Sequence, residues 1–307
     1  MTARRRRQVL LAPMALTLAS LTSMARGQPS VTTLVIAGSR ISVHFEAGLR
    51  PEKHAETLAW VERSAQAVAT FLGRLPLPQF DLLLIAVDGD GVKGGTAYPE
   101  PEPHLRVRLG RDTQAQRLLP DWILVHEMLH LAIPQLRRPH RWLHEGIATY
   151  AEGAARVLAG LNSAQNWWGE LVQGLPRGQP AEGDRGLDNT PTWGRTYWGG
   201  ALFCLVADVR MRQSGQADKG LREALQGVLA AGGNYAVGWP VERVLATADK
   251  AIGLSVLSDL YAQMKDQPCP VDLPALWRNL GVDTRQTPLP GLEATAPLAR
   301  ERRAIAA

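Results

Sequence analysis

The spacing of apolar residues changes character twice along this chain. From Val31 to His44, "VTTLVIAGSRISVH" alternates apolar and polar positions around a Gly-Ser turn, which predicts a β-hairpin. Leu58, Val61, Ala65, Val68 and Leu72 then recur at three- and four-residue intervals, predicting an amphipathic helix over 54–72. "FDLLLIAVD" at 80–88 is a continuous apolar run of strand length. The glycine-rich "DGDGVKGG" reads as a loop, and "HLRVRLG" at 104–110 alternates as a second strand, placed at a sheet edge. Beyond it the texture is helical, with segments near 120–133, 142–159, 163–173, 197–213, 219–230, 240–248, 254–265 and 273–280. From Thr284 the chain is rich in Pro, Ala and Arg, and a disordered tail is expected over 284–307. The pattern therefore predicts an α+β fold, with a β-rich lobe over 28–110 and a helical lobe over 111–283. The Asp88-Gly-Asp90-Gly run resembles part of a calcium loop but lacks the remaining ligands, so it is read as a turn.

Composition adds little until the first residues are set aside. The 307-residue chain carries a formal net charge of +5, which would suit a polyanionic partner. Residues 1–25 hold Arg4, Arg5, Arg6 and Arg7, an apolar run and the small-x-small triplet Ser23-Met24-Ala25, the layout of a bacterial signal peptide. Cleavage there would take the charge from +5 to +1, leaving no argument for nucleic acid. The alternative is an uncleaved anchor, but Pro13 and several hydroxyl residues interrupt a run already short for a bilayer. The expected location is outside the cytoplasm, periplasmic or secreted, with no stable membrane insertion after cleavage. Arg6-Arg7 also loosely fits a twin-arginine signal. Cys204 and Cys269 could pair in an exported protein, although the apolar run around Cys204 equally suits a buried free thiol.

The chemistry sits in "WILVHEMLHLAIP", 122–134, an apolar helix with three polar side chains at its centre. Buried polar groups are costly unless something satisfies them. His126 and His130 lie one helical turn apart and can face a single ion, while Glu127 is rotated about 100° and can hold a water beside that ion. An accidental H-E-x-x-H remains open, its histidines bonded to backbone or water. Fifteen residues beyond His130, "RWLHEGIATYAE" brings another acid on a helix, and Glu145 would complete a His₂Glu zinc site with one position open. The metzincin alternative needs a histidine where Leu136 stands.

"HEMLH" followed by "WLHEGIATYAE" resembles the gluzincin metallopeptidases, the thermolysin-like superfamily, and within it the catalytic cores of the aminopeptidase N and glycyl aminopeptidase types. "RTYWGGALFCLVADVRMRQSG" resembles that family's Tyr-x-x-Gly helix, and the likeness runs over about residues 80–283. It implies a thermolysin-like zincin core with the active site between a small mixed sheet and the helical part. It further implies zinc on His126, His130 and Glu145, Glu127 as general base, and Tyr197 as oxyanion stabiliser. Glu152 would support a metal histidine, and a peptide or protein substrate would add as a strand to the edge before the zinc helix, here His104–Gly110. The family's large N-terminal β-domain is missing. So is its amine-binding glutamate, for which "GGTAYPEPEP" offers only Glu100 or Glu102. Aminopeptidase specificity is thus not implied, and the alternatives are a zinc-binding protein with little activity or a hydrolase of a non-peptide amide. His140 is expected in a solvated basic loop, and His144 at the surface or supporting a ligand rather than on the metal itself. Trp167, Trp168 and Trp193 could line a cleft or pack in the core.

Overall fold

The computed structural model describes residues 29–214 and 218–306, and the leader expected over 1–25 lies outside them. The chain starts with the expected hairpin, strands β1 (Ser30–Ile36) and β2 (Ser39–Phe45) paired antiparallel with Val31 opposite His44. Helix α1 (His54–Leu72) returns the chain to β3 (Gln79–Val87), which lies parallel to β2. Glycine at position 73, with φ +78°, ends α1 in the left-handed conformation that an L side chain resists. Ile41, Val43, Phe80, Leu82, Leu84, Leu105 and Val107 alternate along their strands and are buried, so one face of the sheet closes the core.

The sheet order is β1-β2-β3-β5-β4, where β4 is Val92–Tyr98 and β5 is His104–Gly110. This corrects two expectations. β5 is interior, parallel to β3 on one side and antiparallel to β4 on the other. The edge is β4, built from the glycine-rich stretch that reads as a loop. Ladder hydrogen bonds need only backbone, so a strand at the edge can dispense with β-branched side chains. Its register shifts between Val92 and Gly94, and Gly94 takes φ +134° there. The Asp88-Gly-Asp90 turn holds no metal constellation: Asp88 pairs with Arg111 and Asp90 with Arg117.

Helices follow: α2 (Ala115–Leu118), α3 (Ile123–His130), α4 (Arg141–Leu158), α5 (Ala164–Gly174), α6 (Gly200–Gln213), α7 (Leu221–Ala230), α8 (Val241–Ile252), α9 (Val256–Met264) and α10 (Leu273–Leu280). α3 is shorter than its apolar pattern. The Asp121 carboxylate starts it by accepting from the Leu124 N–H (3.2 Å) and the Trp60 indole (3.1 Å). Every residue from Leu124 to His130 is buried, as expected of a helix apolar on all sides. α4 packs on α1, α3 and α6. Its contact with α6 is backbone to backbone: a Cβ at Gly146 would strike Gly200, and one at Gly200 would strike the Trp142 carbonyl. Trp167 and Trp168 are core residues, whereas Trp193 is exposed. Cys204 and Cys269 are both free thiols. Among the described residues no helix is long and apolar enough to cross a membrane.

The tail is a further correction. β6 (Val282–Asp283) pairs with β7 (Gly291–Leu292), and α11 (Ala299–Ile305) docks with Ala299, Arg302 and Ile305 buried. Few apolar residues are needed because Arg302 donates to the carbonyls of Leu280 and Gly281, both at 2.7 Å, satisfying acceptors left open at the end of α10. Arg302→Met should lower unfolding free energy by about 1–3 kcal/mol, the cost of leaving buried acceptors unpaired. Unchanged denaturant stability would mean that the tail contributes nothing.

A second test concerns Glu152, buried in α4, which accepts from Arg156 Nη1 at 3.2 Å. Burial raises its carboxyl from 4.5 to about 8, despite the opposing guanidinium. The folded chain therefore retains a proton that the unfolded chain releases above pH 4.5, so this group's contribution falls as pH rises toward 8. Denaturant midpoints from pH 5 to 8 should fall more steeply for the natural protein than for Glu152→Gln. Parallel curves would contradict the assignment.

Candidate metal centre

α3 carries His126 and His130 on adjacent turns, and α4 carries Glu145 opposite them. The Nε2 atoms lie 3.4 Å (His126) and 3.3 Å (His130) from the same oxygen, Glu145 Oε2. Ligand atoms of all three residues fall within 4.8 Å of one another, and all three are buried. The two imidazole planes stand at 89°. Burial lowers His126 to about 4, so its ring is neutral and its lone pair free at neutral pH. Burial opposes ionisation of Glu145, but hydrogen bonds from His126 and His130 outweigh it and hold the carboxyl well below the usual range. Two imidazoles and one carboxylate converging in a buried site fit a zinc ion.

The second Glu145 oxygen has a separate partner. Arg141, one turn earlier on α4, donates to Oε1 from Nε (3.1 Å) and Nη2 (3.0 Å). The same Nη2 reaches the Tyr197 hydroxyl at 3.4 Å. Sequence reasoning missed Arg141, although its i,i+4 spacing to Glu145 was a visible signal. Tyr197 lies in a π-helical turn, Arg195–Gly199, that leads into α6. Such one-residue insertions are frequent at functional sites because they re-aim a side chain without ending the helix. The close crossing at Gly146 and Gly200 brings that turn beside Glu145.

Glu127 faces the sheet. It is buried, its carboxylate accepts from the Ala97 N–H, and burial raises it to about 7. β4 comes so near that a Cβ at Gly95 would lie 2.5 Å from Glu127 Cγ. Only glycine lets the strand approach this closely. Between β4, α3, α4 and the Tyr197 turn opens a cleft of about 770 Å³ onto which all these residues face.

The other expectations fare unevenly. Glu152 is engaged by Arg156 and does not line the cleft, while Nδ1 of both His126 and His130 has no hydrogen-bond partner among the described residues. His144 lines the cleft and stacks on His130 with ring centroids 4.6 Å apart. His140, expected in solvent, is buried: Asp188 lies 3.3 Å from its Nδ1 and also accepts from Trp142 (2.7 Å) and Tyr261 (2.6 Å). That node fixes the start of α4. Neither Glu100 nor Glu102 lines the cleft.

No protein-family model matches the chain, and no curated protein matches it by sequence. Solved structures do. An aminopeptidase N family protein from Idiomarina loihiensis superposes with TM-score 0.63 over 88% of this chain and 53% of its own, at 15% identity. The M1 zinc metallopeptidase from Deinococcus radiodurans gives TM-score 0.52 over 80% of this chain and 53% of its own, at 18% identity. A mutant of that enzyme bound to a Tyr-Ser-Ala substrate gives TM-score 0.51 at 17% identity, over 80% of this chain and 54% of its own. The chain spans about half the length of each of these neighbours. Its α+β fold, a five-stranded sheet followed by helices, is similar to that of these solved structures.

Proposed function

We propose that this chain is an exported zinc-dependent peptidase. The observation that carries this reading is the convergence of His126, His130 and Glu145 in a cleft where Glu127 stands ready between helix and edge strand. Zinc held by those three residues supplies Lewis acidity, lowering the pKa of a water toward about 7 and polarising a carbonyl. Glu127 would accept a proton from a water held beside that ion and pass it to the leaving amine. Burial against β4 strengthens the Glu127 carboxylate as a proton acceptor. The Tyr197 hydroxyl, oriented by Arg141, donates to the oxygen that gains negative charge in the transition state. An extended peptide adds along β4, whose backbone rims the cleft from Gly94 to Ala97, in place of the β5 edge expected from the sequence. The leader-like residues 1–25 support export.

Glu127→Gln should retain zinc and fold but lose about 10²–10⁴ in kcat on casein or a peptide library, because an amide of the same shape cannot accept the proton. Near-natural turnover would remove Glu127 from the mechanism. Tyr197→Phe should cost about 10²–10³ in kcat with KM little changed, since its hydrogen bond strengthens only in the transition state. A change confined to KM would place Tyr197 in substrate binding instead.

A further inference from the structure

The charges lining the cleft are unevenly committed. Its two acids, Glu127 and Glu145, are both engaged: Glu145 by the two histidines and Arg141, Glu127 by the backbone of β4. Neither is spare for a substrate amine, and among the described residues no other carboxylate lines the cleft. The two arginines on its wall are less occupied. Arg141 uses Nε and Nη2 on Glu145 and Tyr197, and among the described residues Nη1 has no hydrogen bond; the side chain is 63% exposed. Arg138 is exposed, and its guanidinium has no ion pair or hydrogen bond among the described residues.

Both guanidinium groups come from one anchored stretch. Arg138 opens a 3-10 turn, Arg138–His140, that runs directly into α4 at Arg141. The buried His140 pins this turn to the partly buried Asp188, so the stretch that carries both arginines is anchored at its centre. With a divalent ion on Glu145 and its histidines, the ionisable groups facing the cleft sum to a positive charge. Such a wall favours an anion and repels an ammonium group. Guanidinium groups also match a carboxylate in geometry, presenting paired N–H donors to paired oxygens.

Resting on the peptidase reading above, we propose that Arg138 and Arg141 bind a substrate carboxylate close to the scissile bond. The cleft is then specific for acidic or carboxyl-terminal peptides and is not an amine-reading aminopeptidase site. The carboxylate can be a free C-terminus or an Asp or Glu side chain. Arg138 acts through substrate binding alone, whereas Arg141 also orients Glu145 and Tyr197, so Arg138 is the position to vary.

The experiment uses zinc-loaded Glu127→Gln protein and calorimetry on acetylated Tyr-Ser-Ala with a free C-terminal acid against its C-terminal amide. A second pair, acetylated Tyr-Asp-Ala amide against Tyr-Asn-Ala amide, separates a side-chain carboxylate from a terminal one. At least one acid is expected to bind tenfold or more tightly than its amide. Arg138→Gln should bring that ratio near one, and Arg138→Lys should restore part of it. Equal binding in both pairs, or a ratio insensitive to Arg138→Gln, would overturn the proposal. So would tighter binding of unacetylated Tyr-Ser-Ala amide than of its acetylated form. Casein hydrolysis by the natural protein is measured alongside. Turnover of casein without carboxylate discrimination removes this inference alone. Absence of casein turnover together with absence of binding removes the peptidase reading and this inference with it.

Discussion

Glu145 is a buried carboxylate at which His126, His130 and Arg141 meet, and the site is organised around meeting its electrostatic demands. Taking such a charge out of water costs several kcal/mol unless partners replace the lost hydration. The chain divides the task between the two oxygens. Oε2 faces the ring nitrogens of His126 and His130, while Oε1 takes two donors from Arg141. One oxygen thereby faces the two imidazoles and the other is tied off. The arginine that ties it off also reaches the tyrosine proposed to act on the opposite side of the reacting carbonyl.

That arrangement depends on how closely backbones can approach. α4 crosses the start of α6 with Gly146 against Gly200, and any side chain there would push Tyr197 away from Glu145. Gly95 lets β4 close over Glu127 in the same manner. A buried, pre-arranged site results, in which the Glu127 carboxyl sits against the edge strand β4. The Asp188 node, joining His140, Trp142 and Tyr261, holds the entry to α4 and with it both Arg141 and Glu145.

Much of this was legible in the chain because it is local. The i,i+4 histidines, the glutamate between them and the Glu145-Gly146 pair are periodic features of single helices, and the structure brings the predicted ligand set together. What could not be read depends on long-range pairing. β4 looked like a loop because its glycines carry no strand signal, and only its ladder with β5 makes it a strand. His140 looked solvated among arginines, yet its partner is 48 residues away. The tail looked disordered because its anchors, Arg302 on the carbonyls of Leu280 and Gly281 and the short β6–β7 ladder, carry no periodic apolar signal. Glu152 is the exception, because its partner Arg156 stands one turn along the same helix, a local spacing that the sequence displays.

The central claim, that His126, His130 and Glu145 hold zinc, is most directly tested by anomalous X-ray scattering at the zinc edge from crystals of the purified protein. A single peak is expected at about 2.0–2.2 Å from His126 Nε2, His130 Nε2 and a Glu145 oxygen. It should vanish in His126→Ala crystals grown under the same conditions. Zinc-equilibrated crystals with no density among those three residues, or with the peak elsewhere, would contradict it.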